Sequence, residues 1–317
     1  MSSPIRRPIL AGQWYPGSKD GVIKVLEDCF MSEFGPGTIP ALDAPRKGDV
    51  VGIISPHAGL SYSGGVAANA YAALAEDGVP DTVVMIASHG GFDAVYLQTA
   101  GSWQTPLGTT EIDTEVAEAI SANASTVQPD ARAVLSVADN TFELQLLFIQ
   151  YLSLATKIVP IAAGSRKFAK ISSAADELST ALAPYFDPSS EKKVAILAST
   201  DLTHYGPQFD LTPKAGRPAE EQNEWIREND VRVLDMIGRL DETGTDEILA
   251  EALAHHNLCC PGAIILGLET MKQLKEKAGF EKLEAKLLKQ ATSFDVEPRD
   301  GGGMFSAVGY GSFAICR

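Results

Sequence analysis

The chain has 317 residues, 45% of them hydrophobic and 21% charged, which is enough apolar material for a full globular core. A formal charge of −15 repels polyanions and no basic patch interrupts it, so nucleic acid is excluded as a partner. No apolar run reaches membrane-spanning length, four cysteines are too few for a disulfide framework, and residues 1–8 carry basic side chains without the apolar core of a signal peptide. A soluble protein of a reducing, cytoplasmic setting is expected.

Taken in chain order, Pro8 and Pro16 punctuate residues 7–17 into an extended, turn-rich entry. Residues 18–30 space Val22, Ile23, Val25, Leu26 and Phe30 as an amphipathic helix, with Ser18 as its cap. A Gly- and Pro-rich connection over 34–46 leads to residues 50–54, a short β-branched run of the kind a fully buried strand uses. Ser55 and Pro56 stop it, because proline cannot donate to a strand ladder. His57 follows at once. Gly59, Gly64 and Gly65 then allow a sharp turn and close approach to a ligand, before a helix over 66–74.

The pattern recurs. Residues 82–87 are a second apolar run, closed by Ser88-His89-Gly90-Gly91. Residues 94–100 alternate as a strand, 103–108 form a loop around Trp103, and a helix runs from Asp113 toward Ala122. Helices over 139–151 and 173–185 flank a strand at 157–162. A third histidine-bearing run, 193–199, ends in Ser199-Thr200-Asp201-Leu202-Thr203-His204. A polar loop over 207–221 precedes helices at 221–240 and 246–254. Residues 255–262 interrupt the helical pattern with Cys259-Cys260-Pro261, and it resumes over 263–271. Residues 286–293 and 307–315 predict an antiparallel β pair at one side of the sheet. No repeat or linker divides the chain, so residues 1–317 are expected to form one domain.

Three of only five histidines thus follow predicted buried strands. If those strands are parallel neighbours, their carboxyl ends share one sheet edge and the imidazoles converge there. Each histidine alone also fits a hydrogen-bonded loop residue. Asp201 fits either a turn bonded to its own backbone or a partner of His204 one turn on. Cys259 fits either a packed small hydrophobe or a thiolate favoured by the helix that follows. Imidazoles with a thiolate suit zinc, iron or copper and suit magnesium or calcium poorly.

These elements carry a resemblance that runs end to end. Arg7, Pro8, Ala11, Gly12, Trp14, Tyr15 and Pro16 open it, followed by Pro56-His57-Ala58-Gly59 with Tyr62-Ser63-Gly64, and Ser88-His89. Trp103, Thr105-Pro106-Leu107-Gly108, Ser199-Thr200-Asp201 with His204-Tyr205-Gly206, and the Cys259 segment with Ile264 complete it. The chain resembles the Memo family, also called AmmeMemoRadiSam system protein B, which is similar in fold to class III extradiol ring-cleaving dioxygenases. The resemblance implies that His57 and His89 keep the two metal histidines of those iron(II) enzymes and that Cys259 replaces their carboxylate. Asp201 and His204 would line the same pocket. Two departures stand out: Asn140 sits where the family usually has histidine, and Cys260 where it has glycine.

The expected architecture is therefore α/β: a three-layer αβα domain, its central sheet mostly parallel with an antiparallel edge, like the class III extradiol dioxygenases. The expected function is a metal-dependent oxidoreductase on a small organic substrate, with a divalent transition metal, iron foremost and copper or zinc as alternatives. His57, His89 and Cys259 would be the ligands, His204 the acid–base or oxyanion partner, and Asp201 its orienter. The rival expectation is a non-catalytic protein that keeps the pocket for a small or peptide ligand, as eukaryotic relatives are described as signalling adaptors. Pro261 is expected to turn Cys260 away from the pocket.

Overall fold

In the computed structural model, which describes residues 4–122, 124–298 and 304–317, four apolar runs form the centre of a mixed sheet. Val50–Ser55, Val194–Ser199, Thr82–Ala87 and Lys157–Ala163 lie side by side in that order, all parallel. Every residue in them except Lys157 is buried. That is why they read as unbroken apolar stretches: helices cover both faces, so neither side of these strands can alternate with polar residues. Residues 1–3, part of the basic opening, lie outside the described residues.

Antiparallel strands flank this centre. Ala307–Cys316 pairs antiparallel with Val50–Ser55 and, on its other side, with Glu284–Thr292, while its first residues pair antiparallel with the short strand His204–Tyr205. On the far side Val95–Leu97 runs antiparallel to Lys157–Ala163 and parallel to Val127–Pro129. The expected antiparallel pair near the end of the chain is present. Of residues 103–108, expected as a loop, only Pro106-Leu107 form a turn; the rest belong to a small separate sheet of Ile5–Arg6, Ser102–Thr105 and Gly108–Glu111, with Trp103 fully buried. Trp103 anchors there because its indole N–H donates to Gln98 Oε1 (2.9 Å).

Lys19–Met31, Leu60–Glu76 and Asn140–Leu152 pack on one face of the main sheet. Phe168–Leu182, Ala219–Gly238, Thr245–His255 and Pro261–Lys277 pack on the other. Helix Leu60–Glu76 begins six residues before the expected start, so Gly64 and Gly65 are helical rather than part of a turn. Their role is close packing: a Cβ at Gly65 would stand 2.5 Å from Ser32 Oγ, and one at Gly64 would collide with Cys29 Sγ. Among the described residues no helix is long and apolar enough to cross a membrane.

Candidate metal centre

Three of the central strands end in register. Ile54, Ala198 and Ile86 lie level across the sheet, and the amide of Thr200 donates to Ser55 O (3.1 Å), extending the ladder one residue further. His57, His89 and Asp201 follow these ends within one or two residues. The approach to His89 is bent: Ser88 has φ 128°, a conformation that favours glycine, and its Oγ accepts from Gly90 N (3.1 Å).

His57 is buried, and its ring is fixed from behind. Its Nδ1 meets Ser199 Oγ at 2.8 Å. Gln145, on helix Asn140–Leu152, donates to that same Ser199 Oγ (3.0 Å) and to Pro56 O (2.8 Å), while Tyr71 donates to Gln145 Oε1 (2.6 Å). The far nitrogen, Nε2, is left to face Cys259 Sγ at 3.3 Å. His89 is held in the same way, by Asp139 Oδ2 at 2.9 Å from its Nδ1, and its ring stands perpendicular to that of His57 with centroids 5.2 Å apart. Imidazoles oriented through one nitrogen with the other turned inward are what metal-ligating histidines show.

Cys259 arrives from the opposite direction, just before helix Pro261–Lys277. Its amide donates to Asp201 O (3.1 Å), and its sulfur accepts from the Asp201 amide (3.2 Å) and lies 3.4 Å from Thr200 Oγ1. Asp201 Oδ1 accepts from the amides of His57 (2.7 Å) and Ala58 (3.2 Å), so one carboxylate ties two strand ends together. Its Oδ2 lies 3.7 Å from His204 Nε2, a buried nitrogen with no hydrogen-bond partner among the described residues. Cys260 is not turned away as expected. Its sulfur lies 3.4 Å from that of Cys259.

The electrostatics of the protein groups favour imidazolium and thiolate. Burial alone would lower His57, His89 and His204, but nearby carboxylates and Cys259 outweigh it, raising all three, the last two to about 10. Burial pushes the Cys259 thiol up, yet the hydrogen bond with Cys260 and the His57 charge outweigh that and hold it well below the usual thiol range. One ligand atom each from His57, His89, Cys259 and Cys260 lies within 4.8 Å of the others, and Asp201, His204 and Cys259 form an overlapping set. Such a nitrogen–sulfur donor set fits a thiophilic or borderline transition metal and does not fit magnesium or calcium.

Above this cluster opens a cavity of about 770 Å³. His89, Asn140, Asp201 and His204 form its floor, and Trp14, Tyr62, Phe209, Phe294, Phe305 and Tyr310 supply aromatic walls. Asn140 donates to His57 O (3.1 Å), so it braces the loop that carries His57, and its amide cannot titrate. Sequence reasoning missed Ser199, Gln145, Tyr71 and Asp139 as supports. Only the Ser199-Thr200-Asp201 motif hinted at the first; the others reach the site from helices whose facing the sequence does not show.

A model of the Memo-like protein family matches residues 6–314 of the chain. A MEMO1 family protein of Methanothermobacter thermautotrophicus is 35% identical over 308 residues, covering 96% of this chain and 98% of that one. Its counterparts in Methanopyrus kandleri and Methanobrevibacter smithii are 32% and 31% identical over 98% and 97% of this chain and 99% and 98% of their own lengths. With nearly the whole length matched in each, and the histidine and cysteine elements of the resemblance meeting at one sheet edge, the chain belongs to the Memo family.

Proposed function

We propose that this protein is a metal-dependent oxidoreductase acting on a small organic substrate, of the kind catalysed by class III extradiol dioxygenases, in a reducing, cytoplasmic setting. The observation that supports this reading is the convergence of His57, His89 and Cys259 beneath an aromatic-walled cavity. In this reading those three residues hold a divalent transition metal, which supplies Lewis-acid and one-electron chemistry when bound.

The chain's own groups then have distinct tasks. Ser199 and Asp139 keep the two ligand rings aimed inward. His204 reaches the cavity with its Nε2 unpaired among the described residues, placed to hold or move the proton of a substrate hydroxyl. Asp201 keeps that imidazole charged and in place. The aromatic walls stack a planar substrate and keep water from the floor. Aerobic turnover of a catechol by protein loaded with iron(II) or copper tests the reading. Ring cleavage that vanishes in His57→Ala and slows in His204→Gln supports it, and no turnover with any of these ions sinks it.

One observation favours a second reading as a ligand- or peptide-binding adaptor. A neighbouring cavity of about 730 Å³ shares the wall of Gln13, Trp14, Ser61 and Tyr62 with the first, so the two together form a trough longer than a small substrate needs. Peptide binding unaffected by His57→Ala would carry that alternative.

A further inference from the structure

We propose that Cys260 is a fourth ligand, so that the centre of this chain is a two-thiolate, two-imidazole site selecting a thiophilic ion, zinc(II) or copper(I), over iron(II). The inference rests on the reading that His57, His89 and Cys259 hold a metal, and it changes what that site takes.

Adjacent residues in an extended chain point to opposite sides, which ordinarily keeps neighbouring cysteines off one ion. Here the backbone prevents that. Cys260 has φ −119° and ψ 60°, neither helical nor extended, at the turn into helix Pro261–Lys277. Both amides are pinned by the same segment, Cys259 N to Asp201 O (3.1 Å) and Cys260 N to Thr200 Oγ1 (3.2 Å). The two side chains therefore leave on the same side, and their sulfurs meet at 3.4 Å. Pro261 and Gly262 lock the arrangement: Gly262 lies against Ser165 O so closely that a Cβ there would collide with it.

The distances suit one ion. With bonds of roughly 2.0–2.3 Å, a tetrahedral centre has ligand–ligand edges of roughly 3.3–3.8 Å. The Cys259–Cys260 edge is 3.4 Å and the Cys259–His57 edge 3.3 Å, and all four donor atoms lie within 4.8 Å of one another. Cys260 is 1% exposed, packed at the edge of the apolar core, and its sulfur is turned to that of Cys259 at 3.4 Å. Tetrahedral sulfur–nitrogen sets are those that zinc occupies, and thiolate pairs favour soft ions over iron(II).

The test uses the full chain with zinc or cobalt(II) as the probe. X-ray absorption at the zinc edge should count two sulfur neighbours in the wild type and one in Cys260→Ala. The near-ultraviolet sulfur-to-cobalt band should lose about half its intensity in that variant. Zinc affinity should fall by more than roughly tenfold, beyond the lower end of what losing a mere supporting partner costs. One sulfur neighbour in the wild type, with an unchanged cobalt spectrum in Cys260→Ala, would show that Cys260 only hydrogen-bonds to Cys259 and would overturn the proposal while leaving the three-ligand reading intact. Failure of the wild type to bind either ion would end both. Cys260→Ser and circular dichroism keep a folding defect distinguishable from a lost ligand.

Discussion

Ser199 shows how much of the site depends on residues that touch no substrate. It is the hinge of a relay from Tyr71 through Gln145 to His57, and by engaging Nδ1 it leaves Nε2 as the nitrogen of the His57 ring that faces Cys259. Ser199→Ala should weaken metal binding roughly 10–100-fold without unfolding the chain, measured by chelator competition. A second residue makes a pH-dependent prediction. Asp230 is fully buried, with Oδ1 accepting from the Thr203 amide (3.0 Å) and Oδ2 unpartnered among the described residues. Burial lifts its pKa to about 7, although Thr203 and His204 pull the other way. Because the folded-state pKa is raised, the native state holds the proton more tightly than the unfolded chain. Stability is thus highest at or below the unfolded value near 4, falls as pH rises toward 7, and is flat above. Asp230→Asn should flatten that slope and be more stable at pH 8 by on the order of a few kcal/mol, read by urea denaturation at pH 5 and 8. The sequence made the histidines legible because each directly follows a buried strand. It could not expose Asp230 or Gln145, whose burial depends on which face of a helix meets the sheet.

At the level of elements, the opening segment is tied down by a single buried carboxylate. Glu143, on helix Asn140–Leu152, pairs with Arg6 at 2.7 Å and accepts from the amides of Ile9 and Leu10 and from the Tyr15 hydroxyl (2.5 Å). Arg6 also lies over the Trp103 ring, 4.7 Å from its centroid. The arginine that matters is therefore Arg6 and not the exposed Arg7 with which the motif was read. Two adjacent arginines cannot be told apart by spacing, and the partner lies more than 130 positions away. Glu143→Ala leaves Arg6 buried without its charge partner and should cost about 3–5 kcal/mol in chemical denaturation. Arg7→Ala should stay within about 0.5 kcal/mol of wild type. The same helix supplies Asn140 to the cavity floor, so losing Glu143 should also loosen the site. The glycines of helix Leu60–Glu76 make a related point. Their meaning is set by Lys19–Met31 packing against them, a contact that no local pattern encodes.

Across the whole molecule, the α/β character and the convergence of strand ends were legible, since buried parallel strands leave unbroken apolar runs and the order of such runs limits the sheet. The small sheet around Trp103 was not, because its short strands lack a period long enough to read. The topology brings His57, His89 and Cys259 together at one sheet edge. Metal binding there must release protons from the His57 and His89 imidazoles, both raised and the second to about 10, and from the Cys260 thiol where it joins the ligands. Affinity should therefore climb with pH through the neutral range and fall on acidification, which chelator titrations at pH 6.5 and 8.5 would register; equal affinity at both would point to carboxylate ligands. The most direct measurement is elemental mass spectrometry of untagged protein, purified without chelators and then offered zinc, copper and iron in turn. The wild type should carry close to one transition-metal ion per chain, and both His57→Ala and Cys259→Ser should lose most of it. A wild type that neither carries nor takes up any of the three ions, or variants that keep the full complement, would contradict a metal centre at these residues.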